Sequence, residues 1–258
     1  MLLKKLINNI PKNKENIKIL GLSTNSNEVK KNYIFFAIKG NKTNGENFIE
    51  EAISKGASVI VCSTKCNFKH KNILVIRTKD LRYFLSKISS RFYKNKPKNI
   101  FAVTGTNGKT SVADLFYQIL RLSNKPAASI GTLGVKYYGR IIKTKLTSPD
   151  TISLHKTLEY LKKKKIDNVI IEASSHGLDQ KRLHNIKFKA AIFTNFSQDH
   201  LDYHKNMRSY LNAKLILFKK IIDKNSSIIS DKNIQLFVKL KKIAKNKKIK
   251  ILDINNLF

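Results

Sequence analysis

Three short stretches of this chain hold the residues that could do chemistry. The first is AVTGTNGKTSVADLFYQILRL (102–122), where an apolar run enters a turn containing Gly105 and Gly108 and leaves as a helix. Glycines so placed let backbone N–H groups close around phosphate oxygens, and the helix start adds the positive end of its dipole. Lys109 supplies a mobile cation, and the Thr110 hydroxyl is the type of ligand such loops offer to Mg²⁺. Gly105, Thr106, Asn107, Gly108, Lys109, Thr110 and Ser111 are thus the candidate polyphosphate residues. Val103 stands where the strict GxxxxGK[ST] pattern has its first glycine, so the signal rests on the strand, turn and helix context. The second stretch is NVIIEASSHGLDQKR (168–182), in which Glu172 closes a buried strand where α/β nucleotide enzymes place a metal-binding acid. The third, AAIFTNFSQDHLDYHKNMRSYLNAKLILF (190–218), carries His200, His204 and Lys214. On residue type alone, Lys214 is one of 51 Lys and Arg and His204 reads as a helix-start residue.

The elements that must hold these residues follow from periodicity. Apolar runs at 33–38, 58–62 and 72–76 alternate with helical patterns, one carrying Phe48, Ile49, Ala52 and Ile53, the next Leu81, Phe84, Leu85 and Ile88. Pro97, in YKNKPKN, marks the expected boundary between residues 1–97 and 98–258. Beyond it the order is strand 100–104, helix 110–122, strand 127–130, helix 151–164, strands 168–172 and 190–194, helix 206–222 and strand 227–230. Val112, Leu115, Phe116, Ile119 and Leu120 are the expected buried stripe of the phosphate-loop helix. The lysine-rich 239–249 reads as a solvated helix face or loop. The fold class is α/β: a mixed α/β domain, then a doubly wound domain.

With 258 residues, 41% of them hydrophobic, the chain can bury one large core or two modest ones. The formal charge of +34 would ordinarily point to nucleic acid. Here the lysines run through the whole chain interleaved with Asn and Ile, as in KKIAKNKKIKILDINN, which reads as compositional bias; no groove-reading motif is present, and no nucleic-acid partner is expected. No apolar run is long enough for a membrane span and the N-terminus lacks signal-peptide character, so a cytoplasmic location without membrane attachment is expected. Cys62 and Cys66 are too few for a disulfide framework and read as packing thiols.

The form TGTNGKTS resembles the nucleotide loop of the Mur ligases and of the related folylpolyglutamate synthetases, and E-x-SSHGL resembles the MurE branch of the Mur ligases. The resemblance implies a uridine-binding first domain, then a P-loop ATPase domain, here incomplete, with ATP on 105–111 and Mg²⁺ on Thr110 and Glu172. It implies a second Mg²⁺ on His200 and on Lys214 carbamylated by CO₂, so that Lys109, Lys214, Glu172 and His200 are the catalytic set. Ser174, Gln180 and Arg182 are implied to contact a UDP-linked substrate, and no catalytic role falls on His176. KLTSPDT (145–151) is similar to the family's NTTPD segment, which adds Thr147 and Ser148, although Leu146 replaces an asparagine. In the first domain Thr24 and Ser26, with Asn41, Lys42 and Thr43, match substrate-contacting positions; Asn25 and Asn27 stand where the family has Asp and Arg.

The reaction so implied is ATP-dependent addition of a diamino acid, meso-diaminopimelate ahead of lysine, to UDP-N-acetylmuramoyl-L-alanyl-D-glutamate in peptidoglycan synthesis, through an acyl phosphate. Family members continue into a third domain with the amino-acid specificity motif. The expectation is therefore that this chain alone cannot ligate: either a fragment, or a split gene whose C-terminal ligase domain is a separate polypeptide. The competing readings are a nucleotide-binding remnant without catalysis and a folylpolyglutamate synthetase-like ligase.

Overall fold

The computed structural model describes residues 1–40, 43–144 and 146–256; Asn41 and Lys42 lie outside them. The chain divides into two compact units, Met1–Lys94 and Asn95–Phe258.

The first unit is built on a parallel four-stranded sheet in the order β1 (Gly21–Ser23), β2 (Tyr33–Phe36), β3 (Ala57–Ser63), β4 (Leu74–Thr78). Helix α1 (Ile49–Ser54) follows a 3₁₀ turn that already holds Phe48, and α2 (Leu81–Phe92) is capped by the Asp80 side chain accepting from the Tyr83 N–H. The β2 strand ends at Phe36, two residues before the apolar run does, and β4 starts two residues later than that run. Cys62 and Cys66 are free, buried thiols in the core with Phe35 and Ile60. Burial pushes the Cys62 thiol up to about 12, so it is an inert packing group.

The second unit holds eight strands in the order β12-β11-β10-β5-β9-β6-β7-β8. In chain order these are β5 (Asn99–Thr104), β6 (Ala127–Gly131), β7 (Gly134–Tyr137), β8 (Arg140–Ile142), β9 (Asn168–Glu172), β10 (Ala190–Phe193), β11 (Ser227–Ser230) and β12 (Lys250–Asp253). All pair in parallel except β7 and β8, which are antiparallel. The central β5 alternates its side chains between two apolar layers: Ile100 and Ala102 join the main core with Val169, Ile171 and Ala191, while Phe101 and Val103 face Ile170 and helix α3 (Lys109–Leu122). From β5 the chain passes to β6 on one side, and β10 later pairs on the other; the carboxyl ends of β5, β9 and β10 therefore flank the crevice where this class of sheet binds ligands.

Helix α3 corrects one expectation. Leu115 and Ile119 are 56% and 59% exposed, and Ala113 and Tyr117 take the sheet face with Val112 and Phe116 half-buried beside them. The helix carries more apolar residues than one face can bury, so periodicity alone does not fix its rotation about its axis. Helix α4 (Thr151–Lys163) buries Leu154, Leu158 and Leu161. The short α5 (Ser175–Asp179) and α6 (Leu201–His204) precede α7 (Met207–Ile216), which continues as a π-helical turn over Leu217–Ile221. Helix α8 (Phe237–Lys247) accounts for the lysine-rich stretch; Leu240, Ile243 and Ala244 are buried, so it is a helix with one solvated face. Among the described residues no helix is long and apolar enough to cross a membrane.

Candidate active site

The turn after β5 is held open from one side by the segment after β10. Gly105 adopts φ +152, and a Cβ there would lie 1.9 Å from the Thr194 hydroxyl, so only glycine fits. Thr194 Oγ1 donates to the Asn107 carbonyl (2.6 Å), the Thr106 N–H to the Asn195 carbonyl (3.0 Å) and the Asn107 N–H to Asn195 Oδ1 (2.9 Å). The Thr106 hydroxyl accepts from the Ser197 N–H and donates to its carbonyl. Gly108, at φ +81, then turns the chain into α3, whose first N–H groups have no helical acceptors and form an anion-facing end.

Lys109 folds back over this turn and donates to the carbonyls of Gly105 (3.0 Å) and Thr106 (2.7 Å). Burial lowers its pKa, while Glu172 and Asp199 act in the opposite sense. Thr110 donates to Glu172 Oε2 at 2.9 Å, and Glu172 is 2% exposed, which rules out a water-exposed strand-end carboxylate. A hydroxyl and a carboxylate oxygen this close at a helix start are hard donors that fit a magnesium ion. Gly131 makes room for the acid: a Cβ there would lie 1.9 Å from Glu172 Oε1.

The backbone around Glu172 also gathers the second group of sequence candidates. Ser148 Oγ donates to the Glu172 carbonyl (2.7 Å) and accepts from the Ser174 N–H (3.0 Å). Ser174 caps α5 by accepting from the Gly177 N–H. Arg182 donates from Nη1 to the Ser148 carbonyl (2.7 Å) and from Nη2 to Gln180 Oε1 (2.7 Å). Thr147 meets the Thr132 hydroxyl at 3.1 Å. Thr147, Ser148, Ser174, Gln180 and Arg182 are therefore one connected patch beside the acid.

Lys214, from α7, is 1% exposed, donates to the Gly105 carbonyl at 2.6 Å and lies 4.4 Å from the centre of the Tyr210 ring. Burial, then the nearby Lys109, lowers its pKa to about 7, so a substantial fraction is neutral amine near neutral pH. His200 packs edge-on against the same Tyr210 ring at 5.9 Å. His204 corrects a second expectation: it ends α6 instead of starting a helix, is 6% exposed, and stacks among His176, Tyr203 and Tyr210 because the short α6 turns it inward. Among the described residues no three His, Cys, Asp or Glu are placed to hold a metal.

In the first unit, Ser26 is buried and its hydroxyl bonds Glu51, while Thr24 and Thr43 are exposed. Asn27 accepts from Lys55 (2.8 Å), which also pairs with Glu51 (2.5 Å).

Sequence reading missed Thr132, Thr194, Asn195 and Tyr210. The TN-x-S string within 194–197 was the available signal for two of them.

Residues 103–256 match the family described as Mur ligase middle domain, and residues 18–93 match Mur ligase family, catalytic domain. The chain is 44% identical over 244 residues to a UDP-N-acetylmuramoyl-L-alanyl-D-glutamate--2,6-diaminopimelate ligase of Rickettsia montanensis, covering 92% of this chain and 50% of that one. A protein of the same name from Wigglesworthia glossinidia brevipalpis is 43% identical over 213 residues, covering 80% of this chain and 43% of the relative. A solved structure of a ligase with that name superposes with a TM-score of 0.84 at 26% identity, over 98% of this chain and 52% of its own. A MurF ligase from Thermotoga maritima in complex with ADP shares the fold at a TM-score of 0.59 and 20% identity, over 90% of this chain and 49% of its own. The chain spans about half the length of these relatives. The folylpolyglutamate synthetase-like alternative is not favoured by this pattern, and the chain belongs to the Mur ligase family.

Proposed function

We propose that the chain is the nucleotide- and UDP-precursor-binding portion of a ligase that adds a diamino acid, meso-diaminopimelate ahead of lysine, to UDP-N-acetylmuramoyl-L-alanyl-D-glutamate. The observation that carries this reading is the placement of Glu172, whose side chain meets Thr110 of the phosphate loop while its backbone carbonyl is held by Ser148 of the substrate patch. The substrate and the amino acid are those in the name of the Rickettsia and Wigglesworthia relatives.

On this reading ATP lies along residues 105–111, and Lys109 swings off the Gly105 and Thr106 carbonyls to pair with its phosphates. Thr110 and Glu172 would hold a magnesium ion, which would neutralise charge on the transferring phosphoryl. The D-glutamyl side-chain carboxylate takes the γ-phosphoryl, releasing ADP; the diamino acid's amine then attacks the acyl carbon and expels phosphate. In the second unit Arg182, Gln180, Ser174, Ser148 and Thr147 are the proposed contacts to the UDP-linked substrate; in the first unit, taken by itself, the proposed contacts are Thr24, Ser26, Asn41, Lys42 and Thr43. Lys214 fits the family's carbamate: its neutral Nζ bonds to the carbon of CO₂ and sheds a proton, leaving an anion that with His200 would hold a second Mg²⁺. A cytoplasmic location belongs to the same proposal. The remainder of the enzyme, on the same or a separate polypeptide, is expected to supply amino-acid selection.

Calorimetric titration with UDP-N-acetylmuramoyl-L-alanyl-D-glutamate tests the reading. Binding that weakens when the D-glutamyl residue is omitted supports it; equal affinity for UDP-N-acetylglucosamine contradicts it. Turnover assays with and without the remaining domain distinguish a working half from a nucleotide-binding remnant.

A further inference from the structure

Thr132, in the turn between β6 and β7, is exposed, yet among the described residues it makes two of the three hydrogen bonds to the Glu172 side chain. Its N–H donates to Oε1 at 3.0 Å and its hydroxyl lies 3.2 Å from Oε2, the oxygen that Thr110 also reaches. The same hydroxyl lies 3.1 Å from that of Thr147. An ionised carboxylate only accepts, and a hydroxyl has one hydrogen. The one hydrogen of Thr132 thus faces two acceptors, Glu172 Oε2 and the Thr147 hydroxyl, and the carboxylate oxygen is the stronger of the two. The Thr132 hydroxyl stands between the substrate patch and the metal-binding acid, within hydrogen-bond distance of both.

We infer that the Thr132 hydroxyl is the positioning group of Glu172, fixing the oxygen that faces the metal and tying it to the 146–148 segment. The inference rests on the proposal that Thr110 and Glu172 hold the nucleotide's magnesium. A free glutamate side chain loses rotamer freedom when fixed. Here Gly131 leaves space on one side and Thr132 grips both carboxylate oxygens, so that ordering is in place before the cation arrives. Without the hydroxyl, Oε2 keeps only Thr110, whose oxygen the same cation needs. Phosphate binding without metal uses the loop and α3 and does not involve Thr132.

The test is ADP titration of the chain with and without Mg²⁺, for the unaltered protein, Thr132→Val, Thr132→Ser and Thr147→Val. Valine preserves the shape and the N–H to Oε1. Expected are an unchanged metal-free ADP affinity in Thr132→Val, about a tenfold reduction of the gain that Mg²⁺ confers, and recovery of that gain in Thr132→Ser. Thr147→Val combined with Thr132→Val should cost no more than Thr132→Val alone. A full magnesium gain in Thr132→Val, failure of serine to restore it, or equal weakening with and without Mg²⁺ would each overturn the inference while leaving the nucleotide site standing. Absence of any magnesium gain in the unaltered protein overturns the underlying reading and this inference together.

Discussion

Replacing Gly131 with alanine puts a methyl group into space that Glu172 already fills. The added Cβ would lie 1.9 Å from Oε1, 2.3 Å from Cδ and 2.6 Å from Cγ, so the whole end of the side chain must move, not one oxygen. Moving it breaks the bonds from the Thr132 N–H and from the hydroxyls of Thr110 and Thr132. Hydrogen bonds to a charged group contribute about 1.5–3 kcal/mol each, but Thr132 is exposed and water can replace part of the loss. A net destabilisation on the order of 2–4 kcal/mol is expected, which for a chain of this size lowers the melting temperature by roughly 5–15 °C. The functional effect should be sharper: ADP binding without metal persists, because the loop amides and Lys109 are untouched, while the gain from Mg²⁺ disappears. Differential scanning calorimetry and calorimetric ADP titration read the two effects separately. An unchanged melting temperature together with an intact magnesium gain would refute the packing of Glu172 against β6.

Three further outcomes follow. His155 is fully buried, and burial, then Lys96, holds its pKa down at about 3. The unfolded chain therefore binds more protons than the folded one between about 3 and 6.5. Stability should fall with acidification through that window, by about 2 kcal/mol from pH 7 to pH 5 from this residue alone. His155→Phe should flatten the urea-midpoint profile over that range, and parallel profiles would contradict it. With ¹³C-labelled bicarbonate and Mg-ADP, the chain should show a carbamate carbon resonance that is absent in Lys214→Met; an identical spectrum from both proteins would remove Lys214 as the carbamate. Arg182→Lys keeps the charge but loses the fork that spans Ser148 and Gln180, so affinity for the UDP-linked dipeptide should drop about tenfold with ADP affinity unchanged. Equal affinity for the precursor would place Arg182 outside its site.

The parts of the site that sequence revealed are those where backbone geometry restricts residue type. Gly105 and Gly108 have positive φ, and Gly105 has a hydroxyl where its Cβ would be, so only glycine serves and the spacing is visible. Glu172 was visible because a carboxylate ends an otherwise apolar strand. Lys214 was visible only through family resemblance. What sets it apart is burial and a bond to a carbonyl 109 positions away, and a lysine in a lysine-rich chain announces neither. Thr132, Thr194 and Asn195 escaped because hydroxyls and amides are common in loops, and it is the pairing of β5 with β10, and of β6 with β9, that makes them neighbours of the site. The β7–β8 hairpin carried a readable signal in Tyr138-Gly139, a two-residue turn with both φ values positive, but tyrosine is an unusual residue there and masked it.

The claim on which the account depends is that a magnesium ion joins a nucleotide on the 105–111 turn to Glu172. Its most direct measurement is the ADP dissociation constant, with and without Mg²⁺, for the unaltered chain and for Glu172→Ala. Expected are tighter ADP binding with Mg²⁺ in the unaltered protein, no such gain in Glu172→Ala, and similar metal-free affinities for the two. The same magnesium gain in both proteins would contradict it.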